Sequence, residues 1–305
     1  MGILDSEWRN DEYARKVMVG PDHKPSPECF LDLEHGQTYY ELDNKEEDKG
    51  KPLLICIHGW STASYVWTAL KPELRKKGYR ILSYDLYGRG YSDRPDDVTH
   101  TAELFTRQLT QILVHLKLND RKLNIIGYSM GGAIAARFVS ERPGDVERLL
   151  LIAPAGMAVQ KPYPRFVARK IPRLSDPIIS EFLPCALWKQ FKRAARDFPN
   201  DKNVQFVLQN QLAELEYRGY IPALLSSLKG VLASKMRVEH EAIADSNVKV
   251  LAIFADQDST IPHPDAQTRF DRWNRNQVSR VIEGAGQAVT YTHAQEIMTE
   301  AGNFL

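Results

Sequence analysis

From residue 29 onward, short apolar runs alternate with stretches of helical spacing. Residues 53–57 are apolar throughout, the pattern of a strand covered on both faces. Residues 80–85, 122–126, 146–152, 248–254 and 277–282 read as further strands. Between them, Leu104, Phe105, Leu109, Ile112, Leu113 and Leu116 fall at helical intervals and predict a helix over 102–116. Helices are also predicted over 65–76 and 130–141, and one after each of the last two strands. Residues 29–33 and 38–42 flank His35-Gly36 and predict a hairpin. Strands that alternate with helices predict a mostly parallel central sheet with helices on both faces, and the hairpin adds antiparallel N-terminal strands.

The rhythm breaks between residues 156 and 218. This interval is rich in proline, aromatics and cations and shows no strand pattern, which suggests an inserted helical lid. The expected organisation is an N-terminal arm over 1–27, a core formed by 28–155 and 219–305, and a lid over 156–218. Residues 220–236 read as helical and return the chain to the sheet. From Gly156 to Asn200 the cations are Lys161, Arg165, Arg169, Lys170, Arg173, Lys189, Lys192, Arg193 and Arg196, against Asp176, Glu181 and Asp197. That pattern fits a solvated outer face above an apolar pocket roof. A basic amphipathic surface of this kind can also lie on anionic lipid. Pro162, Pro164, Pro172 and Pro177 argue against one long helix there.

Composition narrows the classes. The chain has 305 residues, 43% hydrophobic and 26% charged, the balance of an ordinary globular protein with a large core. A net charge of +1 supplies no global field to gather nucleic acid. Cys29, Cys56 and Cys185 lie far apart, without disulfide-framework or zinc-ligand spacing, so a reducing compartment is expected. No apolar run approaches the roughly 18 residues of a membrane span. Met1 to Ser6 fit a myristoylation pattern, but no polybasic stretch supports it. Asp5, Glu7, Arg9, Asp11 and Glu12 stand where a signal peptide would be apolar, and the expectation is a cytoplasmic protein.

The sharpest chemical signal is Gly127-Tyr128-Ser129-Met130-Gly131-Gly132, between a predicted strand and a predicted helix. A turn this tight needs glycine on both sides of the serine, and it presents the hydroxyl above the strand ends. The N–H of Met130 would then face an oxyanion. His58-Gly59-Trp60 ends the first long strand, where the N–H of Trp60 could supply a second donor. Asp85-Leu86-Tyr87-Gly88-Arg89-Gly90-Tyr91-Ser92-Asp93-Arg94-Pro95 follows the next strand.

On these motifs, in this order and spacing, the sequence resembles the α/β-hydrolase superfamily from about residue 29 to the end, the lid excepted. Residues 58–67 look most like the lidded epoxide hydrolases and haloalkane dehalogenases. Those use an aspartate nucleophile where this chain has Ser129. That difference favours the serine esterase, lactonase, lipase and carbon–carbon hydrolase branches. The resemblance implies Ser129 as nucleophile and Asp258, rather than Asp256, as the acid that orients the base. It implies no cofactor and no metal. Tyr128, and Phe182 and Trp188 of the lid, are the expected substrate-binding residues.

The base departs from the pattern. Gln287 occupies the position where the resemblance implies histidine. A carboxamide hydrogen-bonds but does not take a proton from serine near neutral pH. His293, six residues on, reads as a packing or capping residue. His58 belongs to a motif found in active members too. His23, His35, His100, His115, His240 and His263 have no motif support as a base.

The implied activity is hydrolysis of an apolar small-molecule carboxylic ester or lactone through an acyl-enzyme on Ser129. In this chain it should be absent or strongly slowed. Two alternatives share the pocket: a non-hydrolytic catalyst of cyclase or lyase type, and a ligand-binding receptor. Nucleic acid is not an expected partner, and a membrane surface is a secondary one.

Overall fold

The computed structural model describes residues 26–43, 45–157, 175–275 and 277–305, with the backbone alone for 175–179. The arm expected over 1–27 lies outside the described residues except for its last two. So do Lys161, Arg165, Arg169, Lys170 and Arg173 of the expected lid.

Strands β1 (Phe30–Leu33) and β2 (Gly36–Leu42) form the N-terminal hairpin. Strand β3 (Leu53–Ile57) is buried at every position. The helix predicted over 65–76 is instead a 3-10 turn, Ser64–Trp67, followed by α1 (Lys71–Lys76). Pro72 explains the break: it lacks an N–H and its ring clashes with a preceding turn, so a helix can begin there but not run through. Next come β4 (Arg80–Tyr84), α2 (Ala102–His115), β5 (Leu123–Tyr128), α3 (Met130–Glu141) and β6 (Val146–Ile152). The Thr101 hydroxyl caps α2 by accepting from the Leu104 N–H.

After β6 the described chain resumes with α4 (Ser175–Asp197) and α5 (Lys202–Glu214). Pro162, Pro164 and Pro172 lie outside the described residues; Pro177 falls near the start of α4, and Pro184 is accommodated inside it. The helix expected over 220–236 ends early. Helix α6 (Tyr220–Lys229) stops at Gly230, where a Cβ would meet the His100 carbonyl oxygen at 2.3 Å, and a 3-10 turn (Val231–Ala233) precedes α7 (Arg237–Ala244). The chain finishes with β7 (Lys249–Ala255), α8 (Asp265–Trp273), β8 (Val278–Ile282), α9 (Val289–Thr292) and α10 (Ala294–Ala301).

The eight strands form one sheet in the order β1-β2-β4-β3-β5-β6-β7-β8. It is parallel from β4 to β8, with β1 and β2 joined antiparallel at one edge. Two apolar clusters cover its faces, built around Phe105, Ile134 and Phe254 on one side and Trp67, Ile126 and Leu150 on the other. The order reverses at β3: β4 lies on one side of it and β5 on the other. The loops after β3 and β5 therefore diverge at a switch point, where open α/β sheets leave a crevice for ligands.

Candidate active site

Strand β5 is buried at all six positions and delivers the chain to Ser129, the residue before α3. Ser129 has φ 52° and ψ −117°, a left-handed conformation that strains an L residue. The surroundings enforce it. The Ser129 N–H donates to the Ile152 carbonyl at 2.9 Å, and its own carbonyl accepts from Gly132 at 2.8 Å and Ala155 at 2.9 Å. Glycine is required on either side by close approach. A Cβ on Gly127 would meet the Gly131 oxygen at 2.6 Å, and one on Gly131 would meet the Ile57 oxygen at 2.1 Å. The elbow read from the sequence is therefore a consequence of packing α3 directly against the ends of β3 and β5.

Asp258 sits on the turn after β7. Its Oδ1 accepts from the Thr260 N–H at 2.7 Å and the Ile261 N–H at 2.8 Å. Burial pushes its carboxyl up to about 6, with the two main-chain donors pulling the other way. Asp256, the alternative acid, is partly exposed and accepts from the Gln257 side chain at 3.0 Å.

Gln287 joins the two. The hydrogen-bond network fixes its carboxamide with nitrogen toward the carboxylate and oxygen toward the hydroxyl. Nε2 donates to Asp258 at 2.9 Å (Oδ1) and 2.5 Å (Oδ2), and Oε1 accepts from Ser129 Oγ at 2.9 Å. The three side chains that the resemblance places in one site thus form a continuous serine–carboxamide–carboxylate chain. In it the Ser129 hydroxyl is a donor and keeps its proton, because an amide oxygen accepts a hydrogen bond without becoming a base.

The expected oxyanion donors lie on this frame. Met130 opens α3, in the turn whose N–H groups have no intrahelical acceptor. Trp60 follows β3 and is held from three sides. Its indole N–H donates to the Leu224 carbonyl at 2.9 Å, and its own carbonyl accepts from Arg89 Nε at 3.0 Å. The neighbouring Ser61 carbonyl accepts from Gln211 Nε2 at 2.9 Å. Arg89 is fully buried and also donates to the Tyr87 carbonyl at 3.0 Å and to Ser227 Oγ at 2.7 Å. Asp85, pushed up to about 6 by burial, accepts from the Ser64 N–H at 2.7 Å and the Tyr91 N–H at 2.8 Å. The Asp85–Pro95 motif is therefore scaffolding for the loop that carries Trp60.

Among the described residues, no histidine lines the cavity at Ser129. His58 is fully buried; its Nε2 accepts from the Leu86 N–H at 2.9 Å while Nδ1 donates to the Gly59 carbonyl at 2.9 Å. Burial lowers it to about 3, so the ring is neutral with both nitrogens engaged. His293 Nδ1 pairs with the Thr292 hydroxyl at 2.8 Å and the ring packs edge-on to Phe198, a packing role as expected.

The cavity above Ser129 measures about 140 Å³ and is walled by Trp60, Leu187, Phe191, Leu208, Leu232 and Tyr291, with Gln211, Thr260 and Gln287 as polar members. That is below the roughly 300–1,000 Å³ of sites for drug-sized ligands. A larger cavity of about 620 Å³, near Tyr65, Tyr91 and Phe206, does not include Ser129.

Two of the expected substrate contacts fail. Phe182 and Trp188 are 68% and 49% exposed and face away from the cavity. Their helix turns Leu183, Leu187 and Phe191 inward at four-residue intervals, which puts 182 and 188 on the outside. Tyr128 borders the cavity, with its hydroxyl committed to the Gln287 carbonyl at 2.6 Å. Leu187, Phe191 and Gln211 line the cavity and are not among the expected contacts; the four-residue spacing at 183, 187 and 191 is the signal that marks the first two.

Fold and elbow define an α/β-hydrolase-fold protein. The α/β hydrolase fold family matches residues 52–294, and the chain belongs to it. The chain is 28% identical over 273 residues to the 2-hydroxymuconate semialdehyde hydrolase of Pseudomonas sp. (strain CF600), covering 84% of this chain and 87% of that protein. It is 26% identical over 281 residues to the pimeloyl-(acyl-carrier protein) methyl ester esterase of Aliivibrio salmonicida (strain LFI1238), covering 88% and 95%. Among solved structures, the enol-lactonase of Burkholderia xenovorans LB400 superposes with a TM-score of 0.67 at 18% identity, over 90% of this chain and 98% of that one. The relatives are hydrolases. Among the described residues, no helix is long and apolar enough to cross a membrane.

Proposed function

We propose that this protein is a serine hydrolase of carboxylic esters or lactones, working through an acyl-enzyme on Ser129 and strongly slowed by Gln287. One observation carries the reading: Gln287 bridges Ser129 Oγ and Asp258 in the place where a base would stand. The acyl carbonyl would sit against Ser129, with the Met130 and Trp60 N–H groups receiving the oxyanion. Leu187, Phe191 and Leu208 would hold the acyl chain. Attack requires the serine proton to leave, and Gln287 Oε1 does not take it. Oxyanion stabilisation and positioning remain, and these alone are worth about 10³–10⁴ over water in serine hydrolases. The relatives' names, an ester hydrolase and a semialdehyde hydrolase, fit this chemistry.

The same observation favours a second reading. A pocket whose serine proton is held on Gln287 Oε1 is suited to receiving a carbonyl ligand at the Met130 and Trp60 N–H groups without cleaving it, as a receptor would. Native mass spectrometry with short p-nitrophenyl esters and aromatic lactones tests the two. A slowly accumulating acyl adduct that disappears in Ser129→Ala supports the hydrolase. An intact, non-covalent complex that survives Ser129→Ala supports the receptor. Conversion of a ligand independently of Ser129 leaves only a non-hydrolytic catalyst.

A further inference from the structure

Gln211 is the residue in the wall of the Ser129 cavity whose side-chain hydrogen bonding is half complete. It stands on α5 one helical turn after Leu208, and both border the cavity. Gln211 is only 3% exposed. Its Nε2 donates to the Ser61 carbonyl at 2.9 Å. That contact fixes which end of the carboxamide is oxygen, because Oε1 in the same place would face another acceptor. Among the described residues no donor reaches Oε1, so a buried acceptor is left over at the edge of the cavity.

The surroundings narrow what can satisfy it. An acceptor without a donor in such a wall is unfavourable, and a ligand that brings an O–H removes that cost as it binds. Among the described residues no charged side chain borders the cavity. A ligand ammonium or carboxylate would enter without a counter-ion, which is costly, so the donor belongs to a neutral molecule. Leu187, Phe191 and Leu208 give the rest of that molecule apolar contacts. Ser61 directly follows Trp60, so the Gln211 amide lies against the loop that would receive the acyl carbonyl. The hydroxyl therefore belongs on a carbon close to that carbonyl.

We propose that Gln211 determines specificity: the site takes neutral esters or lactones with a hydroxyl on the carbon α or β to the carbonyl, and Gln211 Oε1 receives that hydroxyl. This rests on the reading of the cavity as an ester or lactone site and adds the feature that selects among such molecules. Affinities are measured by ligand-observed nuclear magnetic resonance titration of the full chain, which needs no turnover. γ-Butyrolactone is compared with its α-hydroxy and β-hydroxy forms, and methyl butanoate with methyl β-hydroxybutanoate. In the parent, the better hydroxylated member of each set should bind on the order of ten- to a hundredfold tighter than the plain one. Gln211→Met keeps the side-chain length without the acceptor and should bring the members within about twofold of each other. Gln211→Glu keeps an acceptor oxygen in either protonation state and should retain the preference. A ratio of affinities is insensitive to a general loosening of the pocket, which lowers both members alike. Equal binding of plain and hydroxylated members by the parent overturns the proposal, so a variant that fails to fold does not shelter it. A preference that persists in Gln211→Met overturns it too, and one lost equally in Gln211→Glu assigns the effect to the Ser61 contact instead. If no member binds, the ester and lactone reading falls with the proposal. Equal binding beside a slowly formed acyl adduct on Ser129 sinks the proposal alone.

Discussion

Tyr128 donates its hydroxyl hydrogen to the main-chain carbonyl of Gln287 at 2.6 Å. The residue before the serine thus holds the loop of the residue that faces the serine. The Tyr128 ring also closes over Gly59, where a Cβ would stand 3.1 Å from a ring carbon, and meets Trp67 edge-on. One side chain therefore ties together the loops after β3, β5 and β8, which are the three loops that supply the Trp60, Ser129 and Gln287 ends of the site.

Removing that hydroxyl tests the tie. Tyr128→Phe keeps the ring packing and leaves the Gln287 carbonyl without its partner. The expected loss is about 1–3 kcal/mol, the cost of an unsatisfied buried polar group. A urea midpoint that falls with an unchanged slope is the expected result. An unchanged midpoint would mean that water or another group replaces the hydroxyl.

The two sides of α4 should respond differently to truncation. Phe191 is buried against the cavity, and Phe191→Ala should cost about 3–5 kcal/mol while enlarging the acyl space. Ligand preference should move toward longer acyl chains. Trp188→Ala, on the exposed side, should stay within about 0.5 kcal/mol of the parent and leave chain-length preference alone. Binding of an acyl-chain series, measured by calorimetry for both variants, decides the matter. A shift caused by Trp188→Ala would return that ring to the cavity.

Much of this was legible before any coordinates, for physical reasons. Strands covered on both faces announce themselves as unbroken apolar runs, so residues 53–57 could be placed directly, whereas the strand expected over 122–126 runs on to Tyr128. The elbow at Ser129 was legible because only glycine fits at 127 and 131. The meeting of Ser129, Asp258 and Gln287 is what the resemblance to the α/β hydrolases implies. Helix α4 is less legible: its aromatic residues suggest pocket lining, yet helical phase assigns the inside to 183, 187 and 191. The roles of Arg89 and Gln211 were invisible, because each depends on a contact between segments far apart in sequence, 29 residues for Arg89 with Trp60 and 150 for Gln211 with Ser61.

Glu214 gives a prediction in pH. It is fully buried at the end of α5, where Oε1 accepts from the Gly90 N–H at 3.3 Å and Oε2 has no protein hydrogen bond. Arg94, Arg89 and Asp85 from the loop after β4, Tyr65, Tyr217, and Tyr220 of α6 surround it. Burial is the largest cause of its rise from 4.5 to about 7. The folded state therefore holds a proton that the unfolded state releases near 4.5. Stability from this group is present below that pH and is lost as pH rises through about 7. Glu214→Gln should behave like the parent at pH 4 and exceed it at pH 8 by on the order of 3 kcal/mol. Urea midpoints across that range check the sign. A variant less stable at pH 8 would mean that the carboxylate is ionised and held by Arg89 or Arg94.

The most diagnostic change is at Gln287. Ser129 has its strained elbow, and Asp258 already aims both oxygens at position 287. An imidazole placed there could accept the serine proton while Asp258 fixes its tautomer and stabilises its charged form. Loss of one member of such a unit costs about 10⁴–10⁶ in turnover, so Gln287→His should raise ester hydrolysis by several decades. The new activity should rise with pH through an imidazole value near roughly 6.5–7, because only the neutral ring takes the proton. Ser129→Ala in the same chain should remove the gain. Initial rates of p-nitrophenyl ester and aromatic lactone cleavage by the four combinations at 129 and 287 supply the measurement. A folded Gln287→His protein that gains nothing, beside a parent that transforms a ligand without Ser129, would sink the hydrolase reading. A non-hydrolytic catalyst that uses the same pocket would then take its place, with the carboxamide bridge between Ser129 and Asp258 as part of its frame.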